Sequence, residues 1–441
     1  MHALLVNPWI YDFKCHDFWI KPHGLLKIST ILKKNNFTVT LVDCMDRFAP
    51  EMRGYKIEDD EYGKGKFYYE QLAKPDVYAK IPRKYKRYGL PLDVFKDKLK
   101  KIQKPDVILI TSSMTYNYEG VFHAIDILKE NFERVKIILG GIYATLCTEH
   151  AKKNKKISFV WKGSVEKPFF RVLKESTGKI IECEENLNEI LPDYSFYEKT
   201  PHVAVRFTYG CPFNCTYCAI KSFYSDYYQR EKQNVINELK RYSDSGIVDI
   251  AFYDDALLFK NFYIKSILQE IIKEKFKFRF HTPNGLHASY IDEELAKLLK
   301  ESGFVDLRIS LETSDYELQK KTGGKVNDEG FKKALQNIKN AGFKGSDIGV
   351  YILAGLPGQN YNSVLKDVYY LMDKKVKIKI ANYSPIPGTV DFLRIKPEIR
   401  AQIAAEPLKQ NEHYFLTINT DYSWEDNEKI KIMVNEYNNS L

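Results

Sequence analysis

Between residues 203 and 382 the chain alternates apolar, strand-like runs with amphipathic helical stretches six times. The strand runs fall near 203–208, 248–253, 277–281, 305–311, 346–353 and 376–382, and the helical ones near 231–244, 260–273, 291–302, 328–341 and 360–373. No other feature restricts the fold as much. Six consecutive strand–helix units make parallel strands with helices on the outside, and six rather than eight would leave a barrel of such units partial and open. The mouth of such a barrel lies at the carboxyl ends of its strands, where its chemistry is done. The first strand runs directly into Arg206-Phe-Thr-Tyr-Gly-Cys211-Pro-Phe-Asn-Cys215-Thr-Tyr-Cys218, with cysteines three and then two residues apart.

Three thiolates on one tight loop can converge on one inorganic centre. They are one ligand short of what a cubic iron–sulfur cluster or a structural zinc takes. A zinc knuckle would want a fourth Cys or His close by, and the nearest downstream histidine is His281. An incompletely ligated iron keeps a coordination site open for chemistry.

The later strand ends are polar or glycine-rich. The second leads into Tyr253-Asp254-Asp255, the third into His281-Thr-Pro-Asn284-Gly-Leu-His287, and the fourth ends Ser310-Leu-Glu312. The fifth leads into Gly355-Leu356-Pro357-Gly358, and the sixth into Asn382-Tyr383. Alone, an Asp-Asp is a solvated loop and Gly-Leu-Pro-Gly a turn.

Cys-x3-Cys-x2-Cys with Tyr217 before the last cysteine, followed by these strand ends in this order, resembles the radical SAM superfamily. The resemblance implies that Cys211, Cys215 and Cys218 hold a [4Fe–4S] cluster whose fourth iron is chelated by S-adenosylmethionine. It assigns Tyr253, Asp254 and Asp255 to the place of the family's Gly-Gly-Glu, against the SAM amino group. It assigns Ser310 and Glu312 to ribose and methionine, and Gly355, Leu356, Pro357 and the backbone of Tyr217 to adenine. Strand alternation points Ser310 and Glu312 the same way. His281, Asn284, His287 and Tyr383 are expected at the mouth as catalytic candidates that position substrate or move protons. The competing reading for each histidine is a structural hydrogen bond.

Ahead of the barrel, residues 1–195 carry strand candidates at 3–7, 39–43, 107–111, 136–140 and 157–161, with helical patterns at 25–35 and 121–131. Near-continuous apolar strands alternating with helices predict a doubly wound, Rossmann-like parallel sheet. Ligands bind such sheets at the strand carboxyl ends, which here are Thr111-Ser112-Ser113 and Gly140-Gly141. This layout resembles the cobalamin-binding domain that precedes the barrel in many radical SAM enzymes. The resemblance places the corrin's nucleotide tail against Thr111, Ser112, Ser113, Gly140 and Gly141, with Lys21-Pro-His-Gly-Leu-Leu26 opening the first helix. The family's cobalt-ligating Asp-x-His-x-x-Gly is absent, and His23 reads as a loop residue. The fold itself hosts many other ligands.

Residues 45–104 form an insertion rich in Lys, Tyr and Glu, read either as cover for an active site or as surface elaboration. The remaining expected boundaries are 196–390 for the barrel and 391–441 for a short helical extension. That tail has helical pieces at 397–405 and 424–438 and no cysteine, which argues against a second cluster there.

The net charge of +9 is spread over dispersed lysines. Clusters such as Lys152–Lys156 lack an aromatic platform, so nucleic acid is not the expected partner. No apolar run approaches about 18 residues, so no membrane span is expected. The first residues lack a basic n-region and a cleavage site, and the expected location is the cytoplasm. Cys15, Cys44, Cys147 and Cys183 form no disulfide framework.

The expectation is therefore a cobalamin-dependent radical SAM enzyme that methylates an unactivated carbon of an unidentified substrate. It would draw electrons from a flavodoxin- or ferredoxin-type donor. A rearrangement or oxidation, a methylthiotransferase and a non-enzymatic corrin or cluster carrier are the alternatives. Cys15, Cys44 and Cys147 do not sit in the local contexts that a methylthiotransferase's additional cluster needs.

Overall fold

The computed structural model describes every residue of the chain except Ile57 and Lys325. The chain divides into two compact units, Met1–Pro201 with Ala401–Gln410, and His202–Arg400 with Asn411–Leu441.

The first unit is built on five parallel strands in the order Phe159–Val160, Lys136–Leu139, Val107–Ile110, His2–Asn7, Thr38–Asp43. In chain order this is 2-1-3-4-5 read from the other edge, a doubly wound sheet with its switch point between the first and third strands. Val107-Ile-Leu-Ile110 is apolar throughout because both faces are covered, and all four residues are buried. The helix His23–Lys34 lays Leu25, Ile28, Ile31 and Leu32 on one such face, into a core with Leu5, Leu109 and Phe169. Each of these side chains contributes about 1.5–3 kcal/mol by burial.

The insertion does not stand apart from the sheet's continuation. Lys86–Tyr88 pairs antiparallel with Ile10–Asp12 and with Tyr69–Gln71, and Gly65–Lys66 pairs with His16–Asp17. A buried Arg47 ties it down, 2.8 Å from Asp17 and paired also with Asp59. Within the same unit, Ala401–Gln410 is held by Tyr78 Oη donating to Leu408 O at 2.9 Å and Tyr118 Oη to Glu406 at 3.1 Å.

The second unit carries strands at the six expected places, helices alternating between them, and a seventh at Leu286–His287. They fall into two parallel sheets. His202–Val205, Asp249–Phe252 and Arg279–His281 form one, and Leu286–His287, Leu307–Glu312, Ile348–Ala354 and Lys377–Asn382 the other. The seam falls where Thr282-Pro-Asn-Gly285 breaks the third strand run. Leu307, Ile309 and Leu311 alternate with Arg308, Ser310 and Glu312, and all six are buried. Such alternation suits a barrel strand with apolar packing on one side and polar groups on the other.

The edge strand Lys377–Asn382 is finished by a side chain. From the helix Trp424–Ser440, Asn438 accepts from Ile378 N and donates to Ile378 O, each at 2.9 Å. Asp292 and Asn327 cap the helices Glu293–Glu301 and Asp328–Asn340, as Asp and Asn do at helix starts. Among the described residues no helix is long and apolar enough to cross a membrane.

Candidate functional site

The cysteine loop is reached through a short antiparallel pair, Thr208–Tyr209 with Tyr228–Gln229. Its approach is fixed by Asp254 at the end of the second strand. One carboxylate oxygen, Oδ1, accepts from Phe207 N at 3.0 Å, Thr208 N at 2.6 Å and Thr208 Oγ1 at 2.7 Å. The other oxygen, Oδ2, is buried and has no hydrogen-bond partner among the described residues. Burial is the main reason the Asp254 pKa is raised, to about 7.

Asp254 and Asp255 line a small cavity together with Phe213 of the cysteine loop and with Asn284 and His287. Asp255 is paired with Arg206 at 3.0 Å, and Arg206 lies over the rings of Tyr209 and Tyr224. Asn284 donates to the carbonyl of Asp254 at 3.3 Å. The His287 ring packs 4.6 Å from Phe213 and 4.8 Å from Tyr290. Tyr253 continues the strand ladder through its amide to Val205 O at 2.8 Å, and its side chain does not line this cavity.

The cysteine loop is clamped from elsewhere in the same unit. Thr216 Oγ1 donates to Asp391 Oδ2 at 2.7 Å, and Asp391 N donates back to Thr216 O at 3.0 Å. Arg394 Nη1 neutralises the other Asp391 oxygen at 2.6 Å. Cys211 and Cys215 are half-buried. Cys218 is the most exposed residue of the three, yet its sulfur stays desolvated. That, with the Cys215 and Cys211 thiolates nearby, pushes its thiol up to about 11.

Among the described residues, no three His, Cys, Asp or Glu side chains meet as the ligands of one ion. Thiolates on a cubane each bond a different iron and stand further apart than ligands of a single zinc. Three mutually repelling thiols on one loop, beside an unpartnered carboxylate oxygen, fit a cluster completed by an amino-acid ligand. The Tyr217 hydroxyl is held near this centre. Its pKa is raised by burial first, then by the Glu312 carboxylate and Cys215, both of which also hydrogen-bond it.

Several expected site residues lie elsewhere than the sequence suggests. His281 is fully buried in the barrel interior, its Nε2 2.7 Å from Asp249 Oδ1. Asp249 also accepts from Arg279 Nε at 2.9 Å, so His281 is one member of a structural ion-pair set rather than a mouth residue. Tyr383 is buried against Phe415, with ring centroids 5.4 Å apart. Gly355-Leu356-Pro357 does not line the cavity: Gly355 O accepts from Asn419 at 3.2 Å, and Leu356 is buried. Between Ser310 and Glu312 the strand register shifts, and Glu312 adopts φ 68°, which interrupts the simple alternation expected of them. Such backbone at a non-glycine residue is held only where its surroundings enforce it.

At the first unit's sheet, Thr111, Ser113, Gly140 and Gly141 are half-exposed, and a Cβ on Gly140 would meet nothing within 4 Å. That backbone leaves room for a ligand such as a corrin tail. Ser112 does not join it. It is buried, its hydroxyl donates to Gly140 O at 2.7 Å and accepts from Ala144 N at 3.2 Å. Gly141 has φ 95° and lies so close that a Cβ there would be 2.3 Å from Ser112 O.

Arg206, Phe213, Thr216 and Asp391 were not singled out by sequence reasoning. Arg206 and Phe213 flank the first cysteine, and that proximity was the available signal. Asp391 lies 175 residues from Thr216, and nothing in its surroundings links the two.

Residues 205–369 match the family model of the radical SAM superfamily, so this chain carries a radical SAM domain. Its fold is similar to that of TsrM from Kitasatospora setae, a radical S-adenosylmethionine methyltransferase solved with cobalamin and a [4Fe–4S] cluster bound. The TM-score is 0.66 at 16% identity, covering 90% of this chain and 78% of that one. OxsB, a cobalamin-dependent S-adenosylmethionine radical enzyme, superposes with a TM-score of 0.55 at 14% identity, covering 96% of this chain and 57% of that one. In sequence, the ribosomal protein uS12 methylthiotransferase RimO of Clostridium botulinum is 25% identical over 298 residues, 66% of this chain. The chain spans 61% of that relative's length.

Proposed function

We propose that the protein is a cobalamin-dependent radical SAM enzyme that methylates an unactivated carbon. The observation that carries this reading is the free Oδ2 of Asp254, in a cavity shared with Phe213 of the cysteine loop. A desolvated carboxylate oxygen with no donor is an acceptor for an ammonium, and S-adenosylmethionine has one. Cys211, Cys215 and Cys218 would hold the cluster, and Thr111, Ser113, Gly140 and Gly141 the corrin's nucleotide tail. When bound, the cluster and S-adenosylmethionine supply a 5′-deoxyadenosyl radical, and a corrin supplies a transferable methyl group.

The chain's own residues position and enclose these groups. Asp254 orients the amino group while its Oδ1 holds the start of the cysteine loop. Asp391 and Arg394 hold Thr216, and with it the loop, in place. Phe213, Leu257 and Phe259 form an apolar side of the cavity that excludes water from the reacting carbon. His287 and Asn284 are the polar groups placed to meet a substrate there.

The test is anaerobic reconstitution with iron, sulfide and hydroxocobalamin, followed by dithionite and S-adenosylmethionine. The reading expects 5′-deoxyadenosine, bound corrin, and methyl transfer from labelled S-adenosylmethionine to a carbon of the substrate. No 5′-deoxyadenosine would sink it.

The likeness to RimO favours a second reading, methylthiotransfer. It requires a further cluster, hence about eight irons per chain rather than about four. The first unit's thiols are poorly prepared for that. Cys44 is fully buried, Cys147 contacts Gln410 at 3.7 Å, and burial raises both thiols.

A further inference from the structure

The reading above requires one-electron delivery to the cysteine loop, and the substrate cavity occupies only the Phe213 side of that loop. The loop's Asn214–Cys215 stretch has a thin cover. Gly323, exposed and at φ 116°, lies so close that a Cβ on it would be 3.1 Å from both Asn214 O and the Cys215 Cα. Neither Gly323 nor its neighbours line the cavity.

Two short helices flank this spot, Tyr316–Lys321 and Val390–Leu393. They are joined at the loop: Thr216 N donates to Thr322 O at 3.2 Å, Thr216 bonds Asp391, and Arg394 Nη2 reaches Lys321 O at 3.3 Å. Apolar side chains stand exposed on both helices, Tyr316 59%, Val390 50% and Leu393 62%. Cations stand exposed on the same segments. Lys320, Lys321, Arg394 and Lys396 are exposed, with Arg400 half-exposed. The acids on the same segments are Glu317, Glu398 and Asp391, and Asp391 is buried.

We propose that the face formed by Tyr316–Gly324 and Val390–Lys396 docks a small acidic one-electron carrier protein of the flavodoxin or ferredoxin class. Exposed apolar side chains accompanied by cations suit a transient partner with an acidic collar around its redox group. The cations steer encounter, and the apolar groups exclude water on contact. The glycine at Gly323 allows the partner's cofactor to approach a cluster ligand with no side chain intervening. One electron leaves the reduced carrier. Its final acceptor is S-adenosylmethionine, whose C5′–S bond breaks to give methionine and a 5′-deoxyadenosyl radical.

This rests on the radical SAM reading, and the test separates the two. The double variant Lys320→Glu, Lys396→Glu touches none of the residues that hold the cysteine loop. Binding of oxidised flavodoxin and of an oxidised [2Fe–2S] ferredoxin to wild type and variant is measured by calorimetry, without turnover. 5′-Deoxyadenosine formation is then compared with reduced carrier and with dithionite. At least one carrier should bind wild type, more weakly as salt rises. The variant should lose about tenfold or more in affinity and in carrier-driven rate, with the dithionite-driven rate unchanged. Binding of neither carrier to wild type, or equal binding to both proteins, overturns the docking face. Wild type that binds a carrier but forms no 5′-deoxyadenosine with dithionite overturns the function reading and leaves the docking result standing.

Discussion

The strand ends of the two units follow the same architectural rule and use their polar groups in opposite ways. In the first unit they are spent on one another. Asn7 donates to Asp43 at 2.6 Å, Tyr197 bonds the other Asp43 oxygen at 2.7 Å, and Ser112 closes onto Gly140 and Ala144. In the second unit Asp254 uses one oxygen to build the loop and keeps the other for the cavity. A sheet edge whose side chains satisfy each other offers a ligand backbone and shape. One with an unpaired charge-bearing atom offers a specific partner for a cation. The first arrangement suits a large cofactor held by many weak contacts, the second a small one held by a few strong ones.

The sharpest way to separate the two edges is Cys215→Ala. It should abolish 5′-deoxyadenosine formation and lower iron to near zero, while hydroxocobalamin uptake, read from the optical spectrum, stays at wild-type stoichiometry. Loss of both would mean that the edges are not independent.

Asp391→Ala comes next. Its carboxylate positions the loop without touching a ligand, and removing such a support typically costs about 10–100-fold in metal affinity. Iron should leave the variant about that much faster under a chelator, and Asp391→Asn, which can still accept from Thr216, should recover part of the loss.

Asp254→Asn tests the free oxygen. With its pKa raised to about 7, Asp254 must shed a proton below that pH before it can accept an ammonium. Affinity for S-adenosylmethionine, measured by calorimetry, should therefore fall by roughly tenfold per unit as pH drops below 7. The Asn variant should bind weakly at every pH. The sign for stability is the reverse. A raised pKa stabilises the fold at low pH, and that contribution is lost as pH rises from about 4 through 7, so the Tm difference between wild type and variant should narrow or invert over that window.

The smallest effects fall on the first unit's edge. Gly141→Ala should cost about 1–3 kcal/mol in urea unfolding, from positive φ and the approach to Ser112. Gly140→Ala has open space around it and should change stability by less than about 0.5 kcal/mol while weakening corrin uptake. Equal corrin uptake in that variant would remove Gly140 from the proposed tail site.

Periodicity made the strands and helices legible because each buries a continuous apolar face. The cysteine loop was legible because its spacing is local. His281 illustrates where that ends. Its place after a strand run suggested the mouth, but the strand stops at His281 itself and the ring turns inward to Asp249, a partner 32 residues earlier. Tyr383 likewise follows the last strand and is covered by Phe415, which no local pattern ties to it. Ser112 looked available because hydroxyls near glycines can face a ligand. Here the glycine brings two loops close enough for the hydroxyl to be used internally. Asp391 has no local signature, since its role comes entirely from a tertiary contact.

The Asn438 bonds to Ile378 bear on how the protein keeps to itself. A last parallel strand with bare amides and carbonyls is a template for another chain's strand. Asn438 presents one acceptor and one donor at the spacing of a neighbouring backbone, and so fills that register with a side chain. A chain lacking the terminal helix would carry an adhesive edge, with self-association and inclusion-body formation as the visible outcome.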